Sequence, residues 1–206
     1  MKILFQGDSI TDWYRNREDY HDLGKGYAKF AAENIKAKYP ELEFEFIDLG
    51  ISGNQTKDLV NRLEKDFIEI QPDICSILIG VNDVWHHAAE RDWIPGELFR
   101  ERYETVLKAL KERTNAKIMM LEPFLVPAGE DKAFFRVDLD PKIQIVRELA
   151  RKYADVYVPL DGLLAAAYLE AEPKEFAADS VHPTEKGARF IADIYTEAIS
   201  KLIEKA

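Results

Sequence analysis

A chain of 206 residues with 47% hydrophobic and 32% charged residues can bury a core without disulfide or metal staples, and is expected to form one domain over residues 1–206. A net charge of -10, from 38 acidic against 28 basic residues, with no cationic cluster, excludes nucleic acid and an anionic membrane surface as partners and points to a neutral or weakly charged substrate. The single Cys75, set among Ile74, Ile77, Leu78 and Ile79, rules out an intrachain disulfide and reads as a buried thiol. No stretch reaches the length of a membrane span and no signal-peptide pattern precedes the first apolar run, so a cytoplasmic protein is expected.

The chain opens on a short apolar run, Ile3-Leu4-Phe5, that stops at Gly7-Asp8-Ser9. That reads as a buried strand delivering a serine into the loop at its carboxyl end, where an open parallel sheet places its site. Residues 13–25 lack a period and read as an irregular surface connection. Tyr27, Phe30, Ala31 and Ile35 recur at helical spacing up to the stop at Pro40. Residues 43–49 alternate as a second strand, broken at Gly50-Ile51-Ser52-Gly53-Asn54. Thr56 then caps a helix with Leu59, Leu63 and Phe67 on one stripe.

Ile74 to Ile79, apolar throughout, reads as a central parallel strand ending at Gly80-Val81-Asn82-Asp83. A loop with Trp85, His86, His87 and Trp93 leads to a helix from about Pro95 to Arg113. The fourth strand spans 117–121. A helix from about Pro141 to Tyr153 precedes a fifth strand at 156–158, and Leu163 to Leu169 suggests a further buried helix. After Asp179-Ser180-Val181-His182-Pro183, an amphipathic helix runs from Thr184 to the end, its surface from Tyr195 to Ala206 either free or covered by a second subunit, so a homo-oligomer stays open. Strands alternating with helices predict an α/β domain with a mostly parallel sheet.

Four of these breaks supply what acyl transfer needs. Ser9 offers a hydroxyl, which is a poor nucleophile until a base takes its proton. His182 can be that base, and Asp179, three residues before it, can fix the tautomer of the imidazole. An oxyanion needs donors aimed at it in advance, and the Ser9 and Gly53 backbone N–H groups with the Asn82 side-chain amide can supply three. Asp83 reads as structural, while Asp8 and Asp12 hold the serine loop through backbone hydrogen bonds. Asp8, beside the nucleophile, and Trp85, whose flat amphipathic ring suits a sugar face, are further candidates for substrate contact.

The runs Gly7 to Asp12, Gly50 to Asn54, Val81 to Trp85 and Asp179 to Pro183, in this order, resemble the SGNH subgroup of the GDSL hydrolases, most closely bacterial carbohydrate acetylesterases acting on xylo-oligosaccharides. The resemblance implies a three-layer α/β/α fold with a five-stranded parallel sheet of order 2-1-3-4-5. It also implies Ser9, Asp179 and His182 as a catalytic triad, Ser9, Gly53 and Asn82 as the oxyanion hole, and short acyl, chiefly acetyl, esters of carbohydrates as substrates. No metal or organic cofactor is expected: His86-His87 lacks a convincing set of further ligands. Residues 124–135, with Pro127 and Gly129, read equally as a substrate-side loop, a subunit contact or a plain connection. A thioesterase or lysophospholipase with the same triad, a non-catalytic carbohydrate-binding module and a flavodoxin-like nucleotide binder remain alternatives.

Overall fold

A computed structural model describes residues 1–205. Five parallel strands, β1 (Lys2–Gly7), β2 (Glu45–Asp48), β3 (Ile74–Leu78), β4 (Lys117–Leu121) and β5 (Val156–Val158), form one sheet in the order β2-β1-β3-β4-β5. The order agrees with expectation. β3 is buried along its whole length, which is why its sequence shows no alternation. The pleat sorts the strand side chains onto two faces. Ile3 and Phe5 join one core with Tyr27, Ile35, Tyr195 and Ile199. Leu4, Cys75 and Ile77 join the other with Leu59, Phe99 and Tyr103.

Helices α2 (Tyr27–Lys38) and α8 (Glu185–Ile203) pack together over the first face, and α3 (Thr56–Asn61) and α5 (Gly96–Arg113) over the second. The other helices are α1 (Ser9–Asp12), α4 (Asn82–Trp85), α6 (Arg136–Tyr153) and α7 (Leu160–Ala167). Along α8, Tyr195, Ile199, Leu202 and Ile203 are buried against the chain's own core. These positions therefore present no free apolar face to a second subunit; Ala206 lies outside the described residues. Among the described residues, no helix is long and apolar enough to cross a membrane.

Four expectations are corrected. The second strand is shorter, Glu45–Asp48 rather than 43–49. Gln55, not Thr56, caps α3, in a reciprocal pair with Asp58. Thr56 is already the first helical residue, held there by Asp83, which accepts its N–H and, at 2.6 Å, its hydroxyl, and beyond Asn61 the helix gives way to a π-helical turn at Glu64–Ile68. α6 begins at Arg136, with Pro141 inside it. A proline there leaves the carbonyl four residues back unpaired, and Val137 is 71% exposed, where water can take the bond. Arg136 pins that end to Asp161 at 2.8 Å. The helix expected at Leu163 to Leu169 starts earlier and is only half buried: Leu160 and Leu164 are covered, whereas Leu169 is 88% exposed.

Candidate active site

Three strand ends and one loop meet at the carboxyl edge of the sheet. β1 delivers Ser9 as the first residue of α1, whose N-cap is Asp8; one carboxylate oxygen of Asp8 accepts from the Ile10 N–H at 3.0 Å. The Ser9 Oγ lies 2.9 Å from His182 Nε2, and His182 Nδ1 lies 2.6 Å from Asp179 Oδ2. Residues 173 positions apart in sequence are thus within hydrogen-bond distance.

The turn 179–182 organises itself. The other oxygen of Asp179 accepts the backbone N–H groups of Val181 at 3.0 Å and His182 at 2.7 Å. Partial burial acts to raise the Asp179 pKa, but the bonds from the His182 ring and from the two backbone amides outweigh it and hold the carboxyl below its ordinary value. An ionised carboxylate only accepts, so the proton of a neutral His182 ring sits on Nδ1. Nε2 is left free to accept a hydrogen bond from the Ser9 hydroxyl. Ser180 adopts φ 74, a region side chains avoid. The strain is held by the Ser180 carbonyl, which accepts from Val126 N–H at 2.8 Å, and by the Ser180 N–H on Ala177 at 3.1 Å.

The second loop is latched to the first and the third to the second. Asp12 accepts the Ser52 N–H at 2.8 Å and the Ser52 hydroxyl at 2.6 Å. Burial raises the Asp12 pKa, but the bonds from Arg17 and Ser52 outweigh it and keep the carboxyl below its usual value. Next in this loop is Gly53 at φ +83. Nothing lies closer than 3.9 Å to where its Cβ would stand, so the requirement for glycine is conformational rather than steric. Asn82 Nδ2 donates to the Asn54 carbonyl at 3.2 Å, and Gln55 Nε2 donates to the Asn82 carbonyl at 2.9 Å. Asp83 accepts both the N–H and the hydroxyl of Thr56. Arg62 spans the loops from below: Nε donates to Asn54 Oδ1 at 2.9 Å, Nη1 to Gln6 Oε1 at 2.7 Å and Nη2 to the Gly7 carbonyl at 3.4 Å.

The Ser9 and Gly53 amides donate to no protein acceptor among the described residues. Asn82 has a second N–H beyond the one given to Asn54. Uncommitted N–H groups of this kind are what an oxyanion requires. Ser9, Trp13, Tyr14, Ser52, Asp179 and His182 line a cleft of about 370 Å³. A larger groove of about 860 Å³ between α7 and α8 contains none of these groups, so size alone is a poor guide to the chemistry here.

Asp8 and Trp85 separate once the fold is formed. Asp8 is 1% exposed, so the substrate contact expected of it is corrected: its carboxylate supports the turn from beneath. Burial, reinforced by the nearby Asp83 charge, pushes its pKa up to about 7, and its second oxygen has no partner. Trp85 does reach the site, its ring 5.7 Å from that of His182 and backed by Phe135 at 6.0 Å. Residues 124–135 do not line the cleft; Phe124 and Leu125 are buried, and Val126 braces the histidine turn. His87 faces Asp92 at 3.2 Å, and the described residues contain no group of three or more His, Cys, Asp or Glu placed to hold a metal.

Three contributions escaped the sequence reading. Trp13 and Tyr14 line the cleft although their segment shows no period, and the only signal was two aromatics directly after the serine turn. Arg62 reads in sequence as an ordinary cation on a helical segment, and nothing there indicates that it joins two loops.

The chain is similar to known proteins over nearly its whole length. It is 31% identical over 205 residues to an acetylxylan esterase of Geobacillus stearothermophilus, covering 96% of this chain and 93% of that protein. A crystal structure of an acetylxylan esterase from that organism superposes with a TM-score of 0.86 at 29% identity, covering 95% of this chain and 92% of the other. A protein of Parabacteroides merdae described as a GDSL-like lipase superposes with a TM-score of 0.91 at 32% identity, over 97% and 95% of the two chains. Structures of catalytic mutants of the Geobacillus esterase replace a serine, an aspartate and a histidine three positions after that aspartate. A further mutant changes a tryptophan immediately before the aspartate. Residues 5–190 match the model of the GDSL-like lipase/acylhydrolase family, and the chain belongs to that family.

Proposed function

We propose that this protein is a serine esterase that removes acetyl groups from carbohydrate esters, acetylated xylo-oligosaccharides foremost, through an acyl-enzyme. The observation that carries the reading is the continuous path from Ser9 Oγ to His182 Nε2 at 2.9 Å and from His182 Nδ1 to Asp179 Oδ2 at 2.6 Å. His182 takes the Ser9 proton as Oγ attacks the acetyl carbonyl, and the negative oxygen is met by the Ser9 and Gly53 amides and the free Asn82 N–H. Collapse breaks the bond to the sugar oxygen, which leaves with the proton held on Nε2. Water then gives its proton to Nε2, attacks the acetyl-serine and releases acetate, restoring the Ser9 hydroxyl. Asp179 stays ionised throughout, balancing the imidazolium without taking its proton.

The acyl preference follows from the walls and the alcohol from the similar esterase. Around Ser9 the cleft is polar and aromatic, with Ser52, Trp13 and Tyr14 and no aliphatic side chain among its lining residues. A long acyl chain needs an aliphatic slot to recover its desolvation, whereas an acetyl group does not. The acetylxylan esterase that aligns over 96% of the chain supports a carbohydrate as the alcohol.

Acetylated xylo-oligosaccharides incubated with the enzyme and followed by mass spectrometry should lose acetyl groups. Ser9→Ala should abolish that loss while circular dichroism remains unchanged, because Ser9 contributes no core packing. Activity retained by Ser9→Ala removes the nucleophile assignment. Activity that rises with acyl length across p-nitrophenyl esters replaces the acetylesterase with a lipase or thioesterase.

A further inference from the structure

The two residues after α1 are held in a conformation that side chains rarely adopt. Trp13 has φ 26 and Tyr14 φ 64, consecutive left-handed positions without a glycine, which side chains rarely occupy. The backbone is locked there. Trp13 N–H donates to the Ser9 carbonyl at 3.1 Å, Lys25 N–H to the Trp13 carbonyl at 2.9 Å and Arg15 N–H to the Asp12 carbonyl at 2.8 Å. The Trp13 side chain sits against Gly26, where an added Cβ would come within 2.7 Å of the Trp13 Cβ.

What this rigid turn presents is an aromatic ring in water. Tyr14 is 80% exposed, so its ring adds little to the core, yet it lines the cleft that holds Ser9 and His182. It meets Trp13 edge to face with centroids 5.7 Å apart, and Trp13 in turn lies 5.5 Å from the His182 ring. A line of rings therefore runs from the solvent to the reacting hydroxyl. Strain that persists at a functional cleft is stored for a reason, and an exposed, pre-positioned ring loses little entropy when a flat apolar surface lands on it. A pyranose ring has such a C–H face with hydroxyls around its edge. The mutated tryptophan just before the aspartate of the Geobacillus esterase corresponds here to Ala178, next to Asp179 and exposed. This chain offers no ring from that position, which leaves the aromatic surface to Trp13, Tyr14 and Trp85.

We propose that Tyr14, backed by Trp13, is a sugar-stacking platform that determines the preference of this enzyme for acetylated carbohydrate over small alkyl acetates. The proposal rests on the carbohydrate esterase reading above, and the two are separable by experiment. kcat/KM is measured for acetylated xylobiose and for ethyl acetate with the wild type, Tyr14→Phe and Tyr14→Ala. In Tyr14→Ala the ratio of the first to the second should fall about five- to tenfold, through KM, as expected for losing one aromatic contact. Tyr14→Phe should keep the ratio, because the ring face and not the hydroxyl makes the contact. In a Ser9→Ala background, where chemistry is removed, Tyr14→Ala should raise the Kd for acetylated xylobiose by the same factor in calorimetric titration. An unchanged ratio in Tyr14→Ala, or a loss in Tyr14→Phe as large as in Tyr14→Ala, overturns the platform. A wild type that cleaves ethyl acetate but leaves acetylated xylobiose intact overturns the carbohydrate reading itself, before any variant is compared.

Discussion

The turn that carries Ser9 and the turn that carries His182 are held in opposite ways. The serine turn is buried from below and braced by the 50–54 loop through Asp12 to Ser52, and by Arg62, which bonds both Asn54 of that loop and the Gly7 carbonyl. The histidine turn is short and more open, with Asp179 forming its bonds to Val181, to the His182 backbone and to the His182 ring within four residues. One half of the proposed proton path is thus a tertiary construction and the other nearly a local motif. A change in the local half should damage chemistry while sparing the fold, whereas a change beneath the braced half should register in stability.

The largest effect expected of that contrast comes from Asp179→Asn. The amide oxygen can still accept the two backbone bonds, so the turn survives, but an amide facing Nδ1 no longer selects the tautomer that leaves Nε2 free. kcat on p-nitrophenyl acetate should fall by about 10⁴-fold, with a melting temperature near that of the wild type; a modest loss of activity would show that the carboxylate does not govern the imidazole. Asn82→Ala comes next. It removes the proposed oxyanion donor and the bond to the Asn54 carbonyl, and should cost about 10²- to 10³-fold in kcat with little change in KM for the same ester. A loss confined to KM would place Asn82 in ground-state binding instead.

The smallest effect on activity and the clearest on stability belongs to Asp8→Asn, beneath the braced half. Burial first, then the Asp83 charge, lifts Asp8 from 3.8 to about 7. The folded state therefore binds this proton more tightly than the unfolded chain. The stabilisation is complete below about pH 4 and is lost as the pH rises toward about 7. Asp83, lifted by burial to about 6, and Asp48, lifted by burial to about 8, slope the same way. Asparagine keeps the cap on Ile10 but carries no charge. The variant should gain about 1–3 kcal/mol relative to the wild type between pH 5 and pH 8, read from urea melts at the two values. An unchanged difference would mean that Asp8 is ionised at no cost in the folded protein.

How far the sequence could be read depended on whether a feature is local. β4 and β5 coincide with their expected limits because short β-branched and apolar runs bounded by polar residues leave few other choices. α8 begins where expected, next to Thr184, which caps it with a hydroxyl accepting from the Gly187 N–H at 3.2 Å, since such a start is decided within one turn. The failures are non-local. Thr56 looked like a cap, but Asp83, from the distant α4, accepts both its N–H and its hydroxyl, and Thr56 lies inside the first turn. Pro141 looked like a helix start, yet α6 extends back to Arg136, which is anchored by Asp161 from a distant element. Asp8 sat beside the serine in sequence and turned out to lie beneath it.

By itself the sequence determined the alternation of strands and helices, the positions of the four polar breaks and the spacing of Asp179 from His182, because each rests on periodicity, turn chemistry or a reach of a few residues. Only the tertiary structure decided that Ser9 and His182 stand 2.9 Å apart, that Asp8 is buried and Tyr14 bare, and that Arg62 joins two loops. Burial and contact between distant segments are properties of how the sheet gathers its strand ends, and no single stretch of chain contains that information.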